Sequence, residues 1–143
     1  MHAILHNVYI RATSNRVFEA MTTPAEINQW WTLESGGKPV LHSKYRFYFS
    51  PANDWKAEVT QVTDLTSIEW KMTIADSDWT GTSFGFTLVT QPDMVRVEFY
   101  HKDWKTTNEH YRMTSYCWAM YLNLLKRYLE KEEIVPYNER IFI

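Results

Sequence analysis

The chain has 143 residues, 45% hydrophobic and 22% charged, with a formal net charge of −2, the balance of one ordinary globular domain. That charge, with no basic block, excludes electrostatic binding of nucleic acid. No apolar run reaches the roughly 18 residues of a membrane span, and a single cysteine, Cys117, excludes an internal disulfide framework.

In chain order, residues 3 to 11 alternate, with Ile4, His6, Val8 and Ile10 on one face, which is strand period. Thr13 or Ser14 caps a short helix whose apolar side is Val17, Phe18 and Met21. A second helix starts at TPAE, residues 23 to 26: Thr23 as cap, Pro24 at the first position, Glu26 completing a capping box. Ile27, Trp30 and Trp31 share its apolar face, so two adjacent tryptophans close it. Neighbours on a helix point about 100° apart, so one ring is expected to staple the helix and the other to wall a cavity.

From Val40 to His101 the pattern becomes five strands joined by short turns, an antiparallel meander. Tyr45, Phe47 and Phe49 form the inner set of the first, and Trp55, Ala57 and Val59 that of the second. The third has Ile68, Trp70, Met72 and Ile74; the fourth Thr82, Phe84, Phe86 and Leu88; the fifth Val95, Val97, Phe99 and His101. Glu69, Lys71, Arg96 and Glu98 are expected to face water. Residues 106 to 131 form one long helix, with Thr106 and Glu109 as its capping box. One stripe is Met113, Cys117, Met120, Leu124 and Tyr128; an adjacent one is Trp118, Leu122, Leu125 and Leu129. The first is expected to meet the sheet, leaving the second without a partner. A tail, residues 132 to 143, follows, with Pro136 stopping the helix. It is expected to cover the second stripe, either by folding back or by contributing to a two-fold homodimer through helix and tail. A single-sided sheet must bury its apolar face, so the expected fold class is α+β: a curved antiparallel sheet wrapped around the C-terminal helix.

The order of elements, with RATSNRVFEAMTTPAEINQWW (11–31), KYRFYF (44–49), VEFYHKDW (97–104) and YCWAMYLNLLKRYLE (116–130), resembles the START-like (SRPBCC) superfamily and its helix-grip fold. Within it, the chain is most similar to the branch of activators of the heat-shock-protein-90 ATPase. It departs in one place: HSKY stands where that branch carries a glycine pair before an RFRF-like strand. The resemblance implies an interior cavity between sheet and helix for an apolar molecule, and no single reaction.

Aromatic residues make up 16% of the chain, enough to fill a large core or line a large pocket. The expected lining is Trp31, Phe47, Trp55, Trp70, Phe84 and Phe86, with Met72, Met113, Met120 and Cys117. His101 and Tyr121 would orient a polar group. The five histidines show no ligand spacing, Asp76 to Asp78 read as a turn, and neither metal nor cofactor is expected. Cys117 lies on a core stripe with no base beside it. The leading expectation is therefore a cytoplasmic, non-enzymatic binder of a small apolar or aromatic ligand. The alternatives are a protein-partner or chaperone-cofactor module, and a cyclase- or hydrolase-type enzyme using His101.

Overall fold

The computed structural model describes residues 2–141. Strand β1 (His2–Ile10) leads into helices α1 (Ser14–Thr22) and α2 (Pro24–Trp30). Then come β2 (Glu34–Gly36), β3 (Lys44–Ser50), β4 (Asn53–Thr63), β5 (Ser67–Ile74), β6 (Ser83–Gln91) and β7 (Met94–Trp104). Helix α3 (Glu109–Lys131) and a 3₁₀ turn at Tyr137–Glu139 finish the chain. The strands form one antiparallel sheet in the order β1-β7-β6-β5-β4-β3-β2, curved around α3. This is the α+β helix-grip fold. Strand β2 is unexpected: it has three residues and no alternation to betray it, and it exists by pairing Ser35 with Phe47.

The expected register holds. Trp70, Met72, Phe84, Phe86, Val97 and Phe99 are buried on the concave face, and Lys71 is exposed. Ile74 departs from it at 55% exposure, because β6 pairs with β5 only as far as Lys71. Glu69 also departs: it lies on the convex face yet is only 5% exposed. Thr60 Oγ1 (2.7 Å), Tyr100 Oη (2.8 Å) and Lys102 Nζ (2.9 Å) surround its carboxylate. The Tyr100 ring can cross the sheet only because residue 85 is glycine, where a Cβ would stand 3.0 Å from Tyr100 Oη and 2.2 Å from Ile68 O. Burial pushes the Glu69 carboxyl up, but these donors outweigh it and hold the pKa below the ordinary value.

Both expected capping boxes are replaced. Thr23 makes no side-chain cap, and Glu26 turns away to accept two bonds from Arg16 (2.6 and 2.9 Å) and one from Tyr128 Oη. Burial raises the Glu26 carboxyl, and these donors then bring it down to about 2. The bidentate Arg–carboxylate pair joins α1 to α2, and the phenol joins both to α3. The cap of α3 is Asn108, whose Oδ1 accepts from Tyr111 N at 2.9 Å, so the helix begins later than Thr106 suggests.

The two stripes of α3 exchange roles in part, since Leu124 of the first stays buried and Leu129 of the second is only half-buried. Trp118, Leu122 and Leu125 are buried against the sheet, while Met113, Cys117 and Met120 are only partly covered. The helix also shields the free edge of β1. Tyr111 Oη donates to Ala3 O, His6 Nε2 to Ser115 O, Lys126 Nζ to Tyr9 O, and Glu130 accepts from Arg11 N. An edge strand so covered is a poor template for further strands.

The tail folds back on its own domain. Arg140 donates to the carbonyls of Asn28 (2.8 Å), Thr32 (3.3 Å) and Val135 (2.9 Å), and Tyr137 Oη to Phe49 O (3.1 Å). The guanidinium thereby satisfies carbonyls at the end of α2 that have no intrahelical partner. Of the tail's apolar side chains Tyr137, Ile141 and Phe142, the first two are half-buried and the last lies outside the described residues.

Candidate functional site

The paired tryptophans separate at the end of α2. Trp30 Nε1 donates to Ala20 O at 3.0 Å, fixing α2 to α1. Trp31 is the residue where the helix stops (φ −127°, ψ −75°), and its ring drops toward the sheet and α3. There it walls a cleft of about 330 Å³ between the β3–β4 turn, the β5–β6 loop and α3.

Five rings in the wall of this cleft form a closed chain of contacts with one another. Centroid separations are 5.5 Å for Trp31–Phe49, 5.1 Å for Phe49–Trp55 and 4.6 Å for Trp55–Trp79. Trp79–Trp118 at 6.0 Å and Trp118–Trp31 at 4.9 Å close it. Met113, Cys117 and Tyr121 of α3 complete the apolar wall, and burial raises the Tyr121 phenol to about 12. Burial also pushes the Cys117 thiol up, away from the reactive thiolate.

The rim is polar. Asp76 Oδ1 accepts from Asp78 N (3.0 Å) and Trp79 N (2.9 Å), an Asx turn that aims Trp79 inward. Trp79 Nε1 then donates to Thr114 Oγ1 at 3.4 Å. His110 sits between two carboxylates, Nδ1 at 2.9 Å from Asp78 and Nε2 at 3.7 Å from Asp76, tying the loop to the first turn of α3. Asp76, His110, Thr114 and Asn53 are the polar members of the lining.

His101 lies elsewhere, fully buried. The indole N–H of Trp118 can only donate, so Nδ1 at 3.1 Å accepts. Nε2 therefore carries the proton and donates to Thr82 Oγ1 at 2.8 Å, and that hydroxyl donates to Trp79 O at 2.6 Å. Desolvation, with a smaller push from His110, lowers the His101 pKa to about 3. The ring is a neutral, saturated link behind the cleft wall, with no free nitrogen to offer a ligand.

Of the sequence-derived lining, the structure brings Trp31, Trp55, Met113, Cys117 and Tyr121 to the cleft. Phe47, Trp70, Phe84 and Phe86 fill the interior between sheet and helices around a void of about 10 Å³, room for one water at most. Met72 is fully buried in the sheet's core face, and Met120 is half-buried on α3 outside the cleft. Trp70 Nε1 is buried without a partner, a cost the aromatic packing carries. Phe49, Trp79, Trp118 and His110 line the cleft without having been singled out. Phe49 alternates with the inner set of its strand, and Trp118 lies on the stripe expected to lack a sheet partner; Trp79 and His110 sit in a loop and at a helix start, where periodicity carries no signal.

A curved antiparallel sheet gripping a long C-terminal helix, with an aromatic cleft beside that helix, defines a helix-grip domain. The chain belongs to the family of activator of Hsp90 ATPase homolog 1-like proteins, whose model matches residues 11–130. It is similar to the Aha1 dimer from Colwellia psychrerythraea, at 28% identity over 93% of this chain and 99% of that one, with a TM-score of 0.85. It is also similar in fold to protein SSP2350 from Staphylococcus saprophyticus (18% identity, 94% and 96% covered, TM-score 0.79). CalU16 from Micromonospora echinospora shares the fold at 19% identity, with 96% and 82% covered and a TM-score of 0.73. No curated protein matches the chain.

Proposed function

We propose that this chain binds a small apolar or aromatic molecule in the cleft walled by Trp31, Phe49, Trp55, Trp79 and Trp118. The observation that carries the proposal is a cleft of about 330 Å³, the lower end of the size range of small-molecule pockets, with five mutually contacting rings in its wall. Phe49 and Trp55 are only half-buried there, and a ligand that covers them gains apolar burial and ring contacts. Asp76, Asn53 and Thr114 at the rim would orient a polar end. The proposal is binding without chemistry, in the reducing cytoplasm that suits a lone thiol.

The test is a titration with N-phenyl-1-naphthylamine, a neutral apolar fluorophore. Saturable one-to-one binding supports the cleft, and Trp55→Ala should weaken it roughly tenfold by removing one wall. Absence of saturable binding by the folded protein would refute it.

A second reading, that two copies pair, is favoured by the dimer of the Colwellia psychrerythraea relative. The outward side of α3, where Arg112, Tyr116, Ala119 and Asn123 are exposed, is the surface we propose for it. Sedimentation as a monomer at micromolar concentration would retire that reading.

A further inference from the structure

We infer that the cleft selects an organic cation: a ligand whose apolar or aromatic body ends in an ammonium group. This rests on the binding reading above and names the class of ligand.

Aromatic rings carry negative charge on their faces, so a circuit of rings holds a cation better than a neutral group of the same shape. Here Phe49 and Trp55 are half-buried with area open to the cleft, while Trp31, Trp79 and Trp118 are almost wholly buried in its wall. The rim adds a carboxylate. Asp76 Oδ1 is taken up by two loop amides, while its Oδ2 has His110 Nε2 only at 3.7 Å, beyond hydrogen-bonding distance. Behind it Asp78 is paired with the same imidazole, so two carboxylates face one ring. No lysine or arginine is among the lining residues. An anionic group in the cleft would face Asp76 and ring faces with no lysine or arginine to offset them. A neutral one gains the rings alone. A cation gains both, in a site where surrounding apolar groups weaken solvent screening.

Three probes of nearly equal shape separate these cases: phenyltrimethylammonium, tert-butylbenzene and benzenesulfonate, followed by shifts of the tryptophan indole N–H resonances of the full chain. The cation should bind at least about tenfold more tightly than the neutral isostere, and the sulfonate should not bind. Asp76→Asn keeps the Oδ1 that the loop amides need and should shrink the cation's advantage over the neutral probe to the part the rings alone supply. In the unaltered protein, raising the salt should weaken the cation alone, a readout independent of the variant. Equal affinity for cation and neutral isostere overturns the inference while leaving cleft binding intact. A cation preference undiminished in Asp76→Asn and insensitive to salt overturns the carboxylate's part. No binding by either cation or neutral isostere removes the binding reading itself.

Discussion

His101 should make the protein acid-sensitive well above the range where its carboxylates titrate. Its pKa in the fold is about 3, against an ordinary value of 6.5. As pH falls through 6.5 the unfolded chain takes up a proton that the native state refuses, so stability declines from that point and the loss is complete only near pH 3. The slope is about 1.4 kcal/mol per pH unit, which makes roughly 2–3 kcal/mol between pH 6.5 and 4.5. From about pH 5 downward the unfolded chain's carboxyls also take up protons that Glu26 and Glu69 refuse, which adds to the slope of both proteins alike and cancels in the comparison with a variant at position 101. The comparison is urea unfolding of the native chain and His101→Gln at matched pH between 4.5 and 7.5. Glutamine keeps an acceptor for Trp118 Nε1 and a donor for Thr82, and cannot titrate. The variant should lose this part of the slope. Identical pH profiles for the two proteins would refute a buried neutral His101, whatever their absolute stabilities.

Other elements make independent predictions. Gly85→Ala should destabilise the fold by about 1–3 kcal/mol in thermal melts, because its Cβ would meet Ile68 O at 2.2 Å; an unchanged melting temperature would mean the β5–β6 approach is looser than described. Glu69→Leu should cost about 1–3 kcal/mol by stranding the groups of Tyr100 and Thr60, measured by urea unfolding. Ending the chain after Val135 should lower stability by a similar amount, since Arg140 no longer meets the carbonyls of Asn28 and Thr32. A truncated chain as stable as the parent would show that the tail is merely draped.

The fold was legible because period and turn chemistry agree along the chain. Alternation through Ile68, Trp70 and Met72 can bury those side chains only in the register observed, since a one-residue slip would invert the strand. Where local pattern failed, a distant partner had won. Glu26 looks like a capping-box residue until Arg16 and Tyr128 claim it, the latter about a hundred positions on. Glu69 reads as solvated because nothing nearby in sequence announces Tyr100 crossing above Gly85. The stripes of α3 are adjacent and both apolar, and rotation of the helix between them depends on where Trp118 finds His101 and the rings of Trp31 and Phe99. The cleft was legible in its helix-borne and strand-borne members, Trp31, Trp55, Met113, Cys117 and Tyr121. Trp79 and His110 were not, because an Asx turn and an ion-paired helix start place them.

The most direct measurement uses the indole N–H resonances of the seven tryptophans as a map of the interior. With N-phenyl-1-naphthylamine added in steps, an aromatic ligand cleft predicts saturable shifts for Trp31, Trp55, Trp79 and Trp118, which frame it. Trp30 and Trp104, held outside the circuit, should stay in place. Shifts confined to Trp30 and Trp104, or no saturable shift in any indole, would contradict a ligand site between the β3–β4 turn, the β5–β6 loop and α3.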